Sequence, residues 1–173
     1  LCAPPMGNQP VAAANHNAAI LIRRWSRESG GVTAVDVPVV EPLTTDAADW
    51  RVLIHPEVLQ ELAALRAKSL PAETGGIMVG VVDRTLRMIA VTGIFPAPSD
   101  SEAWPTSFIR GANGLSAAVD RLSKRSLRNV IYVGEWHSHP DGCDATPSVQ
   151  DVAAVAICAP NTRADGLPTL MII

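Results

Sequence analysis

The sequence is poor in cysteine, and its cysteines follow no regular spacing. Its 173 residues include only Cys2, Cys143 and Cys158, an odd and scattered set without a C-x-x-C pair. This pattern excludes a disulfide framework and a structural zinc knuckle. It is typical of a reducing compartment, and we expect a cytoplasmic protein.

Long apolar runs and an excess of positive charge are also missing. No uninterrupted apolar stretch reaches membrane-spanning length, and the formal net charge is −3. The Ala-rich segment Val11–Ile22 is followed by Arg23 and Arg24, the reverse of the order in a signal peptide. A general nucleic-acid binder normally carries a basic patch or stripe. We therefore expect neither a membrane nor a nucleic acid as a partner.

The length predicts about one domain with an appendage. Val11–Glu28 has helical composition, Val32–Val40 resembles a strand, and the polar segment Pro42–Asp49 is the best candidate for a boundary loop. We predict that residues 1–49 are an N-terminal extension or the tail of a preceding domain. Residues 50–173 would form the main domain, whose C-terminal end we expect to be truncated.

The main domain has alternating strand and helix patterns. Helices are indicated after Pro56, where Val58, Leu59, Leu62 and Leu65 share one face, and around Leu115–Leu122. Strands are predicted at Trp50–Ile54, Gly75–Val82, Thr85–Phe95, Asn129–Glu135 and Thr169–Ile173, with Pro96–Pro105 as a long loop. Sheet segments with helices packed against them predict an α+β or mixed α/β fold.

The most informative residues are two histidines, His137 and His139, at the end of a predicted strand. Residues i and i+2 of a strand face the same side, so both imidazoles can converge on one ion. Ser148 is a good N-cap for the helix that follows, which places Asp151 in its first turn, pointing back toward the strand end. Two imidazoles and one carboxylate suit zinc, with a fourth coordination position left for water.

These pieces resemble the JAMM (MPN-domain) metalloprotease family, whose pattern is an upstream Glu, then His-Ser/Thr-His-Pro, a short loop and Ser-x-x-Asp. Here they are Glu73, His137-Ser138-His139-Pro140 and Ser148-Val149-Gln150-Asp151. The loop from Pro140 to Pro147 is one residue longer than in the commonest version. The resemblance implies a cytidine-deaminase-type sheet with flanking helices, zinc held by His137, His139 and Asp151, and catalysis by Glu73 and Ser148.

Several residues have two interpretations at this stage. Glu73 is either the general base that the resemblance implies or an ordinary glutamate at a helix end, and Glu135 is a rival base on the same strand face as His137. Ser148 has two candidate roles, the N-cap of the helix and, as the resemblance implies, a donor to the oxyanion of the tetrahedral intermediate, and we expect its hydroxyl to serve one of them at a time. Cys143 lies in the loop after the histidines and is either a fourth metal ligand or an exposed small residue. Ser138 should face away from the ligands.

The resemblance implies a zinc-dependent isopeptidase or peptidase that cuts the amide bond after the C-terminal glycine of a ubiquitin-like protein. Two alternatives remain open: a non-catalytic MPN-type interaction scaffold, and a zinc hydrolase of a small amide. The form Gly134-Glu135-Trp136-His137-Ser138-His139-Pro140 is similar to bacterial JAB domains fused to ThiF-like activating enzymes. A fused or separate ThiF-like enzyme is therefore an expected partner, beside the ubiquitin-like protein or its conjugate.

Overall fold

This computed structural model describes residues 21–28, 31–38 and 41–173. The chain divides into two compact units, residues 1–40 and 41–173. In the first unit, β1 (Leu21–Glu28) and β2 (Gly31–Pro38) form an antiparallel pair. The predicted helix over Val11–Glu28 is therefore wrong for its last eight residues, and its first ten lie outside the described residues. Ile22 and Trp25 favour a strand, and β2 supplies the backbone partners that make it stable.

The second unit contains eight strands and three helices among its described residues. They are β3 (Leu43–Ala47), β4 (Trp50–Ile54), α1 (Pro56–Ser69), β5 (Gly75–Asp83), β6 (Met88–Pro96), β7 (Glu102–Trp104), β8 (Ser107–Ile109), α2 (Leu115–Arg125), β9 (Val130–His137), α3 (Val149–Arg163) and β10 (Leu170–Ile172). The predicted mixed α/β class is confirmed, and so are the predicted strand before Pro56 and the short strand near the end of the chain.

Six of these strands form one mixed sheet in the order β10-β9-β5-β6-β4-β3, and β7 and β8 form a separate hairpin. Strand β5 runs antiparallel to both β6 and β9, whereas β4 is parallel to β6 and β10 is parallel to β9. This arrangement puts β9, which carries the histidine motif, next to the central strand β5. The end of β9 is thereby supported on both sides.

Two predicted loops contain strands. Pro42–Asp49 includes β3, which pairs with β4 across the turn at Ala48 and Asp49, and Pro96–Pro105 includes β7, which pairs with β8. The sequence predicts loops for both segments, because each strand is mostly exposed and has few apolar residues. Strand β3 belongs to the sheet of the second unit, and the boundary at residue 49 stays a prediction. That residues 1–49 derive from another domain stays a prediction.

The helix α1 covers one face of the sheet. It begins with His55 as the N-cap, whose Nδ1 accepts a hydrogen bond from the Glu57 backbone, and Pro56 occupies the first helical turn. Val58 is 2% exposed and joins the core formed by residues of the sheet, against which Leu59, Leu62 and Leu65 also pack. Trp136 lies in this core at 3% exposure, so it faces away from the metal-site side of β9, as its alternation with His137 predicts.

A β-bulge in β9 determines which side chains reach the other face of the sheet. Gly134 pairs with Met78 and Tyr132 pairs with Val79, so Val133 is an extra residue without an opposing partner. The bulge lets Val133 join Trp136 in the core and turns Tyr132 toward the face that carries His137. Gly134 also allows β10 to approach closely, because a Cβ there would lie 2.4 Å from the carbonyl oxygen of Leu170.

Among the described residues, no helix is long and apolar enough to cross a membrane.

Candidate metal centre and groove

The strand that carries the first histidine is fixed at its last residue. His137 ends β9 opposite Gly75, and the next backbone N–H, of Ser138, donates to the carbonyl of Thr74 at 2.7 Å. The Ser138 hydroxyl accepts a hydrogen bond from the Thr74 backbone at 3.1 Å. This reciprocal pair gives Ser138 a structural role, as expected from its position between the two histidines. It also holds the backbone on which His137 and His139 depend.

The three predicted metal ligands lie close together. His137 Nε2 is 3.3 Å from His139 Nε2 and 3.1 Å from Asp151 Oδ1, and His139 Nε2 is 3.4 Å from Asp151 Oδ2. Among the described residues, these three form a group of potential ligands whose atoms all lie within 4.8 Å of one another. The structure thus joins the strand end to the first turn of α3, as the spacing predicts.

Both imidazoles direct Nε2 toward the Asp151 carboxylate. His139 Nδ1 lies 2.7 Å from the carbonyl oxygen of Asp144, and because a carbonyl can only accept, Nδ1 donates this hydrogen bond. Burial lowers the pKa of His137, which favours its neutral form, although the nearby Asp151 acts in the opposite direction.

The start of α3 orients Asp151. The Ser148 hydroxyl accepts a hydrogen bond from the Asp151 backbone at 3.2 Å, and Asp151 Oδ2 accepts one from the Ser148 backbone at 2.6 Å, forming a capping box. Burial alone would raise the pKa of Asp151, but the Ser148 N–H and the neighbouring His137 hold it below its usual value. The carboxylate is therefore ionised, which is the form that binds a cation.

Glu73 lies in the groove that contains the three ligands. It sits between α1 and β5, is 9% exposed, and its backbone N–H donates to the carbonyl of Trp104 at 2.9 Å. Burial raises the pKa of Glu73. The charge of His139 lowers this pKa and the charge of Asp151 raises it, so the carboxyl group interacts electrostatically with both residues. A carboxylate with a raised pKa in this position is a better proton acceptor than an exposed one.

Glu135, the rival base, is fully engaged with other residues. It accepts hydrogen bonds from Arg110 Nε at 2.6 Å, from Arg110 Nη2 at 3.0 Å and from the Tyr132 hydroxyl at 2.8 Å, and Cys158 Sγ lies 3.6 Å away. Arg110, the cationic partner of Glu135, was not identified from the sequence. A carboxylate in an apolar strand needs a cationic partner, but the sequence offers 14 lysines and arginines without indicating which one.

The groove has a volume of about 1030 Å³ and passes over the three ligands. Residues 106–110 line one side, α3 lines the other, and Glu135 and Met171 contribute to its floor. Phe108 lines the groove, whereas Trp104, the other aromatic residue of this region, is 43% exposed. Cys143 also lines the groove, but it is not part of the group of potential metal ligands, which among the described residues consists of His137, His139 and Asp151.

Comparison with known proteins agrees with this architecture. Residues 55–170, about two thirds of the chain, match the family described as prokaryotic homologs of the JAB domain. The chain belongs to this family. The match begins at the N-cap of α1 and ends at the first residue of β10, so this JAB domain includes Glu73, the histidine motif and α3.

Two relatives of the JAB domain carry the same functional name. A "CD-NTase/cGAS isopeptidase" of Enterobacter hormaechei subsp. hoffmannii is 30% identical over 130 residues, which cover 75% of this chain and 70% of that protein. A second "CD-NTase/cGAS isopeptidase", from Escherichia coli, is 29% identical over 97 residues, covering 56% of this chain and 61% of that protein.

Among solved structures, the domain is similar to the solution structure of a Desulfitobacterium hafniense protein. The two share 20% identity, and the match covers 58% of this chain and 64% of the other with a TM-score of 0.42.

Proposed function

We propose that this JAB domain is a zinc-dependent isopeptidase that hydrolyses the amide bond after the C-terminal glycine of a ubiquitin-like protein. The observation that carries the proposal is the convergence of His137, His139 and Asp151 in one groove with the buried Glu73. Membership of the JAB family and the name isopeptidase of two relatives support a hydrolase.

The donor atoms fit a tetrahedral zinc ion. Ligand atoms about 2.0 to 2.2 Å from such an ion lie roughly 3.3 to 3.6 Å from one another. Two of the three distances between the histidine and aspartate donors, 3.3 and 3.4 Å, lie in this range, and the third, 3.1 Å, is slightly shorter. A zinc ion held by these residues would lower the pKa of a water molecule and polarise the carbonyl of the bond to be cut.

Glu73 is the proposed general base. Its carboxylate would take a proton from the attacking water as the oxygen adds to the carbonyl carbon, and would give that proton to the leaving amine as the C–N bond breaks. Its burial in the groove keeps bulk water from stabilising the ionised form, which is why its pKa is raised. Glu135 is not available for this role because Arg110 and Tyr132 occupy its carboxylate oxygens.

Ser148 can serve as cap and as oxyanion donor at the same time. The capping bond uses the hydroxyl oxygen as an acceptor for the Asp151 N–H, so the hydroxyl proton remains available for donation. Ser148 lines the same groove as Glu73 and the histidines. We propose that its O–H stabilises the negative charge that develops on the carbonyl oxygen.

Ser148→Ala is expected to lower kcat by roughly 10²–10³-fold, the scale of a lost oxyanion donor, with unchanged zinc content. Loss of the cap alone would instead destabilise the fold by about 1 kcal/mol and leave kcat of the folded fraction near normal. Ser148→Asn is the matched variant, since asparagine also caps a helix but places its donor differently. Near-normal turnover by the alanine variant would reduce Ser148 to a cap.

The proposed substrate is an extended tail linked to a second protein. The walls of the groove combine the β7–β8 hairpin with an α3 face that exposes Val149 at 88% and Ile157 at 77%. An extended chain can add as a strand beside a sheet edge. By analogy with the two isopeptidase relatives, we propose that the conjugates it cuts contain a CD-NTase.

Three substrates separate this function from its alternatives. They are a reporter domain fused to the C-terminal glycine of ubiquitin, the same reporter fused to the C-terminus of a bacterial CD-NTase, and a small glycine anilide. We expect cleavage of at least one fusion at the junction, abolished by a zinc chelator and restored by added zinc. Hydrolysis of the anilide alone would favour a small-amide hydrolase. No hydrolysis by zinc-loaded protein would favour an interaction scaffold.

We further propose a ThiF-like activating enzyme, fused or separate, as a functional partner. Joining a conjugating activity to a deconjugating one raises the local concentration of shared substrate. A cytoplasmic location is part of the same proposal, and the free cysteines Cys143 and Cys158 fit a reducing compartment.

A further inference from the structure

The β7–β8 hairpin forms one wall of the groove but is too small to hold its own position. Each strand has three residues, and the only pairs are Glu102–Ile109, Ala103–Phe108 and Trp104–Ser107. An isolated two-stranded hairpin is marginally stable in water at best. The position of this wall must therefore depend on contacts between the hairpin and the rest of the JAB domain.

Contacts at the base of the hairpin restrain it partly. Asp100 accepts hydrogen bonds from the backbone of Ala112 at 3.0 Å and of Asn113 at 3.2 Å, and Ser101 Oγ accepts one from the Gly111 backbone at 2.9 Å. These bonds hold the two ends of the segment together. They do not by themselves attach the hairpin to the sheet.

Two contacts attach the hairpin beside the proposed catalytic residues. The carbonyl of Trp104 accepts the backbone N–H of Glu73, and Phe108 packs directly on the bare backbone of Gly75. A Cβ on Gly75 would lie 2.4 Å from Phe108 Cε1, so the aromatic ring occupies the space that a side chain would fill. Both contacts lie near the end of β5 that faces His137.

The third attachment is a partly buried ion pair between Arg110, just after β8, and Glu135 on β9. The guanidinium binds both carboxylate oxygens, and the side chains of Arg110 and Glu135 are 26% and 10% exposed. Tyr132 donates a further hydrogen bond to Glu135 from the position that the β-bulge creates. Two-point bonds between ionised groups are stronger and more directional than neutral ones, so this pair fixes both distance and orientation.

We propose that Arg110 and Glu135 form a positioning pair that holds the β7–β8 hairpin as a preformed wall of the substrate groove. A substrate then binds without first ordering that wall, which improves affinity because the ordering has already occurred on folding. Neither residue takes part in bond breaking. The structural part of this inference stands on the contacts alone, and its effect on substrate affinity rests on the proposed function.

Hydrogen exchange measured by mass spectrometry tests the structural part. In Arg110→Met, we expect the backbone amides of residues 101–111 to exchange at least about tenfold faster than in the unmodified protein, with exchange in β5 and β6 unchanged. Arg87→Met is the matched control, because it removes an exposed ion pair with Asp49, in the turn between β3 and β4. Exchange of residues 101–111 should be unchanged in this variant. Exchange within about twofold of the unmodified protein in Arg110→Met would overturn the inference.

A variant without either charge covers the case in which Arg110→Met does not fold. Removing one partner leaves a buried carboxylate unpaired, whereas Arg110→Met/Glu135→Met leaves no uncompensated charge and is expected to be the more stable of the two. We expect residues 101–111 to exchange at least about tenfold faster in this double variant as well. Slow exchange there would overturn the inference.

The kinetic test uses the fusion that the unmodified domain cleaves. We expect Arg110→Met to raise KM for that fusion about tenfold and to change kcat less than about twofold, because the hairpin lines the groove and its hydrogen bond to Glu73 involves the backbone N–H and not the carboxylate. A drop in kcat at constant KM would overturn the positioning role. If the unmodified domain cleaves neither fusion, the proposed function fails, and hydrogen exchange still decides whether the pair holds the hairpin.

Discussion

Replacing His137 and His139 together by alanine is expected to remove bound zinc and to abolish hydrolysis. The variant loses two of three ligands, and the remaining Asp151 carboxylate cannot hold a transition-metal ion by itself. Metal analysis after dialysis should give about one equivalent of zinc in the unmodified protein and almost none in the double variant. A double variant that retains full zinc would show that the metal binds elsewhere.

Two further variants sharpen this result. Asp151→Asn keeps an oxygen that can accept the Ser148 N–H, so it preserves the capping box while removing the ligand charge. It should bind zinc more weakly and lose turnover with little change in stability. His55→Asn is the control for losing a histidine, because His55 caps α1 outside the groove and asparagine is also a good N-cap. This control should keep its zinc and its activity.

Glu73→Gln is expected to lower kcat by about 10²–10⁴-fold while zinc content and stability stay near those of the unmodified protein. Glutamine has the same size and leaves the backbone bond to Trp104 intact, so the change removes the proton acceptor without disturbing the hairpin. The measurement is turnover of the cleaved fusion under saturating substrate. Glu61→Gln, on the exposed side of α1, is the control and should retain full activity.

Comparison with Glu135→Gln decides between the two carboxylates. We expect this variant to keep most of its kcat. Both carboxylate oxygens of Glu135 already accept hydrogen bonds from Arg110 or Tyr132, so neither is available to take a proton from water. Normal cleavage by Glu73→Gln together with an inactive Glu135→Gln would reverse the assignment of the base. The sequence left this choice open, and the hydrogen bonds of Glu135 are the reason for preferring Glu73.

Several elements were predictable because their signals are local. Pro56 in the first turn and the apolar face of α1 lie within a few residues of one another. Strands β3 and β7 were missed because they are short and mostly exposed, so no apolar pattern distinguishes them from loops. The strand Leu21–Glu28 was mistaken for a helix because its partner, β2, decides its conformation more than its own composition does.

The sequence by itself predicted the candidate metal ligands. His137 and His139 are two residues apart, and Ser148 and Asp151 are joined by a capping box, so short-range backbone geometry orients the side chains within each of these two pairs. Only the tertiary structure distinguishes the surroundings of Glu73 from those of Glu135. Glu73 reaches the groove through the packing of α1 and β5, and Glu135 is paired with Arg110, 25 residues away along the chain. Contacts of that kind depend on how separate elements pack, and a single sequence does not specify which distant charge will meet which.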